Sequence, residues 1–193
     1  GGCVSTNDKK IANKIINLRS HGMLKNKNHF IYKPNEIAPW YYEMQELGWN
    51  YRADEISSAL GLSQLKRLYK GISKRKKLVK YYYNELKDLK SVILPSDHKN
   101  IDNSVWHLYS ILINFKKIGF SRSQIMQKLS REGIQTQVHY IPLFMQPYYR
   151  VKDFSLYKGS LNYYESTLSI PLYVQLNKKD ILFISSKIKS ILN

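Results

Sequence analysis

The chain has 193 residues, 43% of them hydrophobic, which is enough for one large domain or two small ones. A single cysteine excludes an internal disulfide framework and a cysteine-rich zinc site, and no apolar run reaches the roughly 18 residues of a membrane span. The five histidines show no HxxxH or HxH spacing, so we expect no metal site, and we expect a reducing, cytoplasmic setting.

The net charge is strongly positive. Lysine and arginine outnumber aspartate and glutamate by 31 to 14, a formal charge of +17 that favours polyanionic partners such as nucleic acid, acidic membrane or phosphorylated small molecules. Of the 31 basic residues, however, 24 are lysine, and asparagine, isoleucine and tyrosine are abundant. This mixture is also typical of drift in genome composition, so the charge alone does not identify a binding partner.

The first quarter of the chain predicts a strand, a helix and a loop. Residues 1–6 are typical of a short buried strand, and Asn7-Asp8 is a natural cap for a helix over about residues 8–19. Gly22 is suited to ending this helix. Residues 24–47 are polar and aromatic without a clean period, which predicts a long exposed loop.

The segment that begins at Gly48 is the most informative part of the sequence. Asp54 and Glu55 lie in the first turn of a second helix, where carboxylates oppose the positive helix end. Gly61 within this helix costs about 1 kcal/mol relative to alanine, which indicates that another backbone comes close. Asn50 and Arg52 lie at the mouth of this helix, where an amide, a guanidinium and free backbone N–H groups would form an anion site. Local chemistry alone favours the plainer alternative, in which Asn50 caps a turn and Arg52 is solvated.

A polar linker separates the two halves of the chain. The second helix is predicted to continue, with a break near Gly71, to about Leu89. Residues 95–104 then form the linker, which predicts domains over residues 1–94 and 95–193.

The second half predicts a small sheet covered by helices, an α+β arrangement. In chain order, its predicted elements are a strand over residues 105–114, a helix over 121–132 capped by Ser121, a strand over 134–140, a helix over 161–168, a short extended piece over 169–172 and a terminal amphipathic helix over 178–192.

Five stretches of the chain carry a family pattern. They are Gly1-Gly2 with Thr6-Asn7-Asp8, then Arg19-Ser20-His21-Gly22-Met23, then Gly48-x-Asn50-x-Arg52-x-x-Glu55-Ile56-x-x-Ala59-x-Gly61-x-x-Gln64-Leu65, then Gln137-Val138-His139-Tyr140-x-Pro142-Leu143, and finally Ser169-Ile170-Pro171-Leu172. In this order they resemble the DegT/StrS nucleotide-sugar aminotransferases. The pattern is most similar to the branch that aminates C4 of a UDP-4-keto-6-deoxy-N-acetylhexosamine, as in pseudaminic-acid biosynthesis.

This resemblance implies a fold, a cofactor and a reaction. The fold is α/β: the C-terminal part of an aspartate-aminotransferase-like (fold type I) chain, with the end of the large domain, a long connecting helix and a small α+β domain. The cofactor is pyridoxal 5'-phosphate. The reaction moves an amino group from an amino acid, glutamate, to a nucleotide-linked keto sugar for surface polysaccharide or glycan biosynthesis.

The resemblance also implies roles for four residues. Asn50 matches the asparagine that reaches the cofactor phosphate of the partner subunit in a homodimer, and Arg52, near the same anionic region, is assigned to substrate binding. His139 and Tyr140 match a segment that lines the sugar site, although the local pattern alone favours a structural histidine at a strand end. Phe144 stands where many members of the family carry a histidine, which leaves the identity of the sugar open.

The lysine that binds the cofactor lies upstream of Gly1 in this family. We therefore expect the chain alone to be inactive and to need the missing N-terminal half, whether it is a fragment, one half of a split gene or a degraded copy. One alternative is a non-catalytic remnant kept as an interaction piece. A basic nucleic-acid-binding module is disfavoured, because the tyrosines are not interleaved regularly with basic residues and no such motif is present.

Overall fold

The protein folds as two compact units, Gly1–Lys66 and Arg67–Asn193. The computed structural model describes residues 2–32, 36, 38–95 and 99–192. Gly1 of the family pattern and residues 96–98 of the predicted linker lie outside the described residues. The division falls earlier than the predicted boundary between residues 94 and 95, because the helix that follows Arg67 packs against the terminal helix of the second unit. The assignment of residues 1–94 to a cofactor-binding domain stays a prediction.

The first unit contains short elements around a long loop. Its elements are helix α1 (Lys9–Leu18), strand β1 (Met23–Leu24), a 3-10 turn (Lys27–His29), strand β2 (Glu43–Met44) and helix α2 (Glu55–Leu65). Asp8 caps α1, because its side chain accepts hydrogen bonds from the backbone of Lys10 and Ile11. Asp54 caps α2 through the backbone N–H of Ser57. Both predicted helix starts are therefore confirmed.

Two predictions for the first unit are wrong. Residues 2–6 are exposed and form no strand, because a strand needs a neighbour to pair with and the described part of the chain offers these residues none. The stretch over 24–47 is not a simple loop, since β1 and β2 pair antiparallel at its ends, with Met23 opposite Met44.

The buried side chain of Glu43 connects several residues of this loop through hydrogen bonds. Its carboxylate accepts hydrogen bonds from the backbone N–H of Ile31 (2.6 Å) and Tyr32 (2.9 Å), from the Tyr41 hydroxyl (3.1 Å) and from the Gln45 side-chain amide (2.8 Å). The side chain is buried, and four donors compensate its acceptor sites. The loop is thus held by one charged side chain.

The second unit is a three-stranded antiparallel sheet covered by helices. Its regular elements are helix α3 (Leu68–Leu86), strand β3 (Val92–Ile93), strand β4 (Tyr109–Ile113), helix α4 (Phe115–Ile118), helix α5 (Arg122–Arg131), helix α6 (Lys158–Ser166), strand β5 (Thr167–Ile170) and helix α7 (Lys178–Leu192). The strand order is β3-β4-β5. The predicted small α+β arrangement is present here.

The hydrophobic core belongs to this second unit. Strand β4 alternates, with Tyr109, Ile111 and Ile113 buried among side chains of α3, α5 and α7. The ring of Tyr109 stacks on that of Tyr82 from α3 at 5.1 Å, and the Tyr82 hydroxyl donates to the carbonyl of Pro171 (2.8 Å). Burial raises the pKa of both tyrosines, so both hydroxyls stay protonated.

Several boundaries in the second half differ from the predictions. The helix break lies at Lys66–Arg67 rather than near Gly71, because the Gly71 N–H donates to the Arg67 carbonyl (3.0 Å) and continues α3. Residues 134–140 form no strand, and their one β-bridge pairs Gln137 with Ser169. Helix α6 ends at Ser166, so the last residues of the predicted helix over 161–168 belong to β5.

Two helices match their predictions closely. Ser121 and Gln124 form a reciprocal capping box at the start of α5, and Gly133 follows the helix with φ of 77°. Helix α7 begins at Lys178 and ends at Leu192, as its amphipathic pattern predicts.

The described residues contain neither a membrane-spanning helix nor a cluster of metal ligands. No helix in the described ranges is both long and apolar enough to cross a bilayer. Within the same ranges, no three histidine, cysteine, aspartate or glutamate side chains converge as metal ligands.

Candidate functional site

Two sequence motifs of the first unit are paired through their backbones. Residues 18–22 and 45–51, which we call the motif frame, run antiparallel and bring Ser20 opposite Asn50. Four main-chain hydrogen bonds join them: Trp49 N–H to Leu18 (2.7 Å), His21 N–H to Trp49 (2.9 Å), Tyr51 N–H to Arg19 (2.9 Å) and Gln45 N–H to Gly22 (3.1 Å). The Arg-Ser-His-Gly and Gly-x-Asn-x-Arg motifs therefore form one structure.

Glycine at two positions makes this approach possible. A Cβ atom on Gly48 would lie 2.3 Å from the Gly22 nitrogen and 2.6 Å from the Leu18 carbonyl oxygen. A Cβ atom on Gly22, whose φ is 68°, would lie 1.9 Å from the Glu46 carbonyl oxygen. Side chains at these positions would separate the two strands of the frame.

The frame presents Asn50 on its exposed side, and Arg52 directly follows the frame. Both residues are exposed, and in the part of the chain that the structure describes neither side chain makes a hydrogen bond. Asn50 offers two amide N–H donors and Arg52 a fork of five, which suits an anionic phosphate group. These two residues therefore fit the phosphate of the implied cofactor by their chemistry.

The helix terminus beside them does not contribute as predicted. The Asp54 carboxylate accepts from the Ser57 N–H (2.8 Å) and the Ser57 hydroxyl (2.7 Å). These hydrogen bonds lower the pKa of Asp54 and keep a negative charge at the N-terminus of α2. The Asp54 carboxylate thus occupies one of the predicted free N–H groups, that of Ser57, and places a negative charge where an anion would bind.

Helix α2, which follows, is exposed along its whole length. None of its residues is buried, although Ile56, Leu60, Leu62 and Leu65 are apolar, and Ile56 is 84% exposed. Gly61 has no atom within 4 Å of a built Cβ in the described chain, so the close backbone predicted there is not present within it. Such an apolar surface is typical of an interface.

His139 and Tyr140 lie in the second unit, beside strand β5. Gln137 pairs with Ser169 through two main-chain hydrogen bonds (3.1 and 2.8 Å), and His139 Nδ1 lies 2.8 Å from the Ser169 hydroxyl. Ser169 Oγ lies in turn 2.6 Å from Ser110 Oγ on β4. The peptide bond between His139 and Tyr140 is cis, and the two rings are nearly perpendicular at 4.6 Å.

An open cavity of about 480 Å³ lies next to Tyr140. Its lining carries no charged side chain and consists of Tyr140, Pro142, Leu143, Phe144, Gly159, Ser160, Tyr163 and Tyr164. Phe144 is held by stacking on Tyr157 at 4.3 Å. Aromatic faces with a few hydroxyl groups suit an uncharged ring such as a sugar.

The structure shows which residues the sequence interpretation missed. Ser110 was placed in a predicted strand without a role, and Ser169 in a family stretch without a role. Alternation along β4 was the available signal, because Ser110 lies on the opposite face from Tyr109 and Ile111. The pairing of Gly22 with Gly48 had no local signal, since the two are far apart in sequence.

The profile of the DegT/DnrJ/EryC1/StrS aminotransferase family matches residues 1–189. The chain belongs to this family. The UDP-4-amino-4,6-dideoxy-N-acetyl-beta-L-altrosamine transaminase of Campylobacter jejuni is 34% identical over 203 residues, covering the whole chain and 48% of that protein. The chain therefore spans about half the length of the relatives it matches.

Solved structures of DegT/StrS proteins share the fold. Helicobacter pylori PseC, an aminotransferase of pseudaminic-acid biosynthesis, matches with a TM-score of 0.80 and 30% identity over 97% of this chain and 47% of its own. The putative sugar aminotransferase Spr1654 of Streptococcus pneumoniae, in its PMP form, matches with a TM-score of 0.80 and 23% identity over 96% of this chain and 44% of its own.

These similarities bear out three predictions. The chain has the fold of the C-terminal part of a fold type I aminotransferase, as the family pattern implied. The family is one of aminotransferases, also as the pattern implied. Pyridoxal 5'-phosphate is the family's cofactor, and Spr1654 has been solved in PLP and PMP forms.

Proposed function

We propose that this chain is the C-terminal part of a pyridoxal-phosphate-dependent nucleotide-sugar aminotransferase. It moves an amino group from an amino acid, glutamate, to the keto carbon of a nucleotide-linked sugar used for a surface polysaccharide or glycan. The motif frame carries the proposal, because it presents the amide of Asn50, with Arg52 two residues further on, and neither side chain has a hydrogen-bond partner among the described residues. The relatives named for transamination of an altrosamine and for pseudaminic-acid biosynthesis support the substrate class.

Asn50 binds the phosphate of the cofactor in this proposal. When bound, the cofactor supplies the electron sink for the amino transfer. The amide N–H groups of Asn50 donate to phosphate oxygens, and Arg52 adds positive charge where the anionic substrate enters. Because the frame fixes the main chain on both sides of Asn50, the amide is held ready for its ligand.

His139 and Tyr140 bind the sugar in the second unit. The half-buried His139 ring offers a nitrogen to an oxygen of the substrate, and the ring of Tyr140, which is 72% exposed, covers an apolar face of the sugar. The uncharged lining of the adjacent cavity favours the sugar rather than the diphosphate there.

The exposed apolar helix α2 supports a homodimer whose active site is shared between subunits. A second subunit would cover residues such as Ile56, and Asn50 would then reach the cofactor held by the partner. The N-terminal half of the protein supplies the lysine that binds the cofactor. The chain alone is accordingly inactive, and we place the complete enzyme in the cytoplasm.

Reconstitution tests this proposal. The chain is fused behind the N-terminal half of the Campylobacter jejuni transaminase, which it does not cover, and supplied with pyridoxal phosphate, glutamate and a UDP-4-keto sugar. We expect amino transfer with the fusion and none with the chain alone. Asn50→Ala should weaken cofactor retention roughly tenfold or more, because hydrogen bonds to a charged group contribute about 1.5–3 kcal/mol.

The matched control is Asn13→Ala, which removes an exposed asparagine of α1 outside the motif frame and should retain the cofactor normally. Equal cofactor retention by the Asn50 and Asn13 variants would disprove the role of Asn50. A fusion that binds the cofactor but aminates no keto sugar would disprove the substrate class. A folded chain that binds no cofactor in the fusion but binds RNA would favour the basic-module alternative.

A further inference from the structure

Two serine side chains lie behind His139 in the second unit. Ser169 is buried on β5, and its hydroxyl contacts both His139 Nδ1 (2.8 Å) and Ser110 Oγ (2.6 Å). Ser110 lies directly opposite Ser169 in the register of β4 and β5. The three polar groups form a continuous line from the sheet to the imidazole, which we call the serine relay.

The backbone holds this line in place independently of the hydroxyl groups. Ser169 N–H donates to the Gln137 carbonyl (2.8 Å), and Gln137 N–H donates to the Ser169 carbonyl (3.1 Å). Ser169 also belongs to β5, whose pairing with β4 includes four register positions. The segment carrying His139 is therefore attached to the sheet even when a serine hydroxyl is removed.

The hydroxyl hydrogens determine which histidine nitrogen carries the proton. Ser169 has one hydroxyl hydrogen, so it donates to one neighbour and accepts from the other. If Ser110 donates to Ser169 and Ser169 donates to His139, both hydroxyl hydrogens are used within the protein. In the reverse direction, the hydrogen of the half-buried Ser110 hydroxyl has no acceptor among the described residues and would need a water molecule, so the first direction is the one that the protein satisfies by itself.

The first direction leaves Nδ1 as the acceptor and places the proton of the neutral imidazole on Nε2. No described residue hydrogen bonds to Nε2. His139 thus carries one engaged nitrogen that fixes the ring and one free N–H donor. A donor of this kind binds an acceptor oxygen, such as a carbonyl or phosphate oxygen.

We propose that Ser169 and Ser110 are positioning residues that hold neutral His139 in the Nε2–H form, so that it donates to an acceptor oxygen of the nucleotide sugar. The identity of the ligand rests on the proposed function, whereas the state of the ring does not. Removing the relay should therefore affect sugar binding without affecting use of the amino-acid donor.

The state of the ring is tested on the 193-residue chain itself. Long-range 15N–1H spectra of the histidine-labelled chain at about pH 8, above the ordinary histidine pKa of about 6.5, report which nitrogen is protonated. We expect one locked Nε2–H form, assigned by its absence in His139→Gln. Ser169→Ala should turn this signal into an average of the two tautomers, and Ser169→Thr, which keeps the hydroxyl, should restore the locked form.

Ser185→Ala is the matched control for this measurement. Ser185 is fully buried in the same unit, and its hydroxyl has no hydrogen-bond partner in the described structure, so its removal should leave the His139 signal unchanged. A proton on Nδ1 in the unmodified chain would overturn the proposal, as would a Ser169→Ala spectrum equal to that of Ser185→Ala. If Ser169→Ala does not fold, Ser110→Ala carries the test.

Kinetics of the fusion enzyme test the link to the sugar. We expect Ser169→Ala to raise KM for the UDP-4-keto sugar about tenfold, while KM for glutamate stays unchanged and kcat changes by less than about threefold. Equal changes in both KM values would show a merely structural role. If the spectra confirm the locked ring but the unmodified fusion aminates no sugar, the proposed function fails and the serine relay stands.

Discussion

The two units of this chain bury their apolar residues to very different extents. The second unit encloses a hydrophobic core that joins its sheet to α3, α5 and α7. In the first unit, α2 has no buried residue, and its large apolar side chains face outward. The first unit is ordered by hydrogen bonds, which join the main chains of the motif frame and surround the Glu43 carboxylate.

This difference shows that the two units are ordered by different interactions, apolar burial in the second and hydrogen bonding in the first. In the second unit, side-chain burial provides most of the stabilisation, since each buried aliphatic side chain contributes roughly 1.5–3 kcal/mol. In the first unit, apolar side chains such as Ile56 are exposed and add no such stabilisation. The first unit therefore specifies the local geometry of its motifs without closing a core of its own.

The largest effect expected from this comparison is at Ile111. Ile111→Ala empties a fully buried position in the central strand and should lower the free energy of unfolding by about 2–5 kcal/mol. Ile56→Ala, the same substitution at a position 84% exposed, should change it by less than about 0.5 kcal/mol. Urea unfolding of the chain measures both. Equal losses would show that α2 is covered in solution, as by self-association.

A smaller effect is expected at Gly48, where backbone packing rather than core packing is at stake. Gly48→Ala places a methyl group 2.3 Å from the Gly22 nitrogen and should destabilise the motif frame by about 1–3 kcal/mol. Gly61→Ala has open space around it and should strengthen α2 by up to about 1 kcal/mol. Hydrogen exchange at the Trp49 amide measures the frame, and similar exchange in both variants would contradict this packing.

The smallest effect is a local response to acid at Glu43. Burial raises the pKa of its carboxyl, but hydrogen bonds from Ile31, Gln45, Tyr32 and Tyr41 outweigh burial and leave the pKa below its ordinary value. The carboxylate therefore stabilises the loop above the ordinary glutamate pKa of about 4.3, and this stabilisation is lost as the pH falls through the lowered value.

Exchange of the Ile31 and Tyr32 amides from about pH 6 to about pH 3 measures this loss. We expect the two amides to become unprotected in acid, and Glu43→Gln to remove the transition. Glu165→Gln changes an exposed carboxyl of the second unit and should leave it intact. Equal protection of the two amides in the unmodified chain and in Glu43→Gln at every pH would show that the loop does not depend on Glu43.

Helix termini were the features most accurately predicted from sequence. Asp8, Asp54 and Ser121 act through hydrogen bonds to residues two or three positions away, so a short window contains all the information. Strands depend on distant partners. The predicted strand over 1–6 fails for this reason, and the one over 134–140 is reduced to a bridge with Ser169.

The candidate site also depends on residues that are distant in sequence, which a local pattern does not reveal. The family pattern identified Asn50 and His139 as residues of interest, and their roles stay predictions. The sequence interpretation did not find Ser169 as the partner of the imidazole, because the two are joined through a register between separate strands. It also expected free N–H groups at the start of α2, and overlooked that the Asp54 carboxylate would accept from one of them, the N–H of Ser57.

The motif frame has an entropic consequence for ligand capture. Ordering the backbone of one free residue costs about 1–2 kcal/mol, and a flexible loop bearing Asn50 would lose this free energy at several positions on binding. Here the main chain on both sides of Asn50 is already hydrogen bonded to residues 18–22. Only side-chain rotation remains to be lost, about 0.5–1.5 kcal/mol. If Asn50 binds a phosphate as proposed, the chain therefore loses little conformational freedom on binding it.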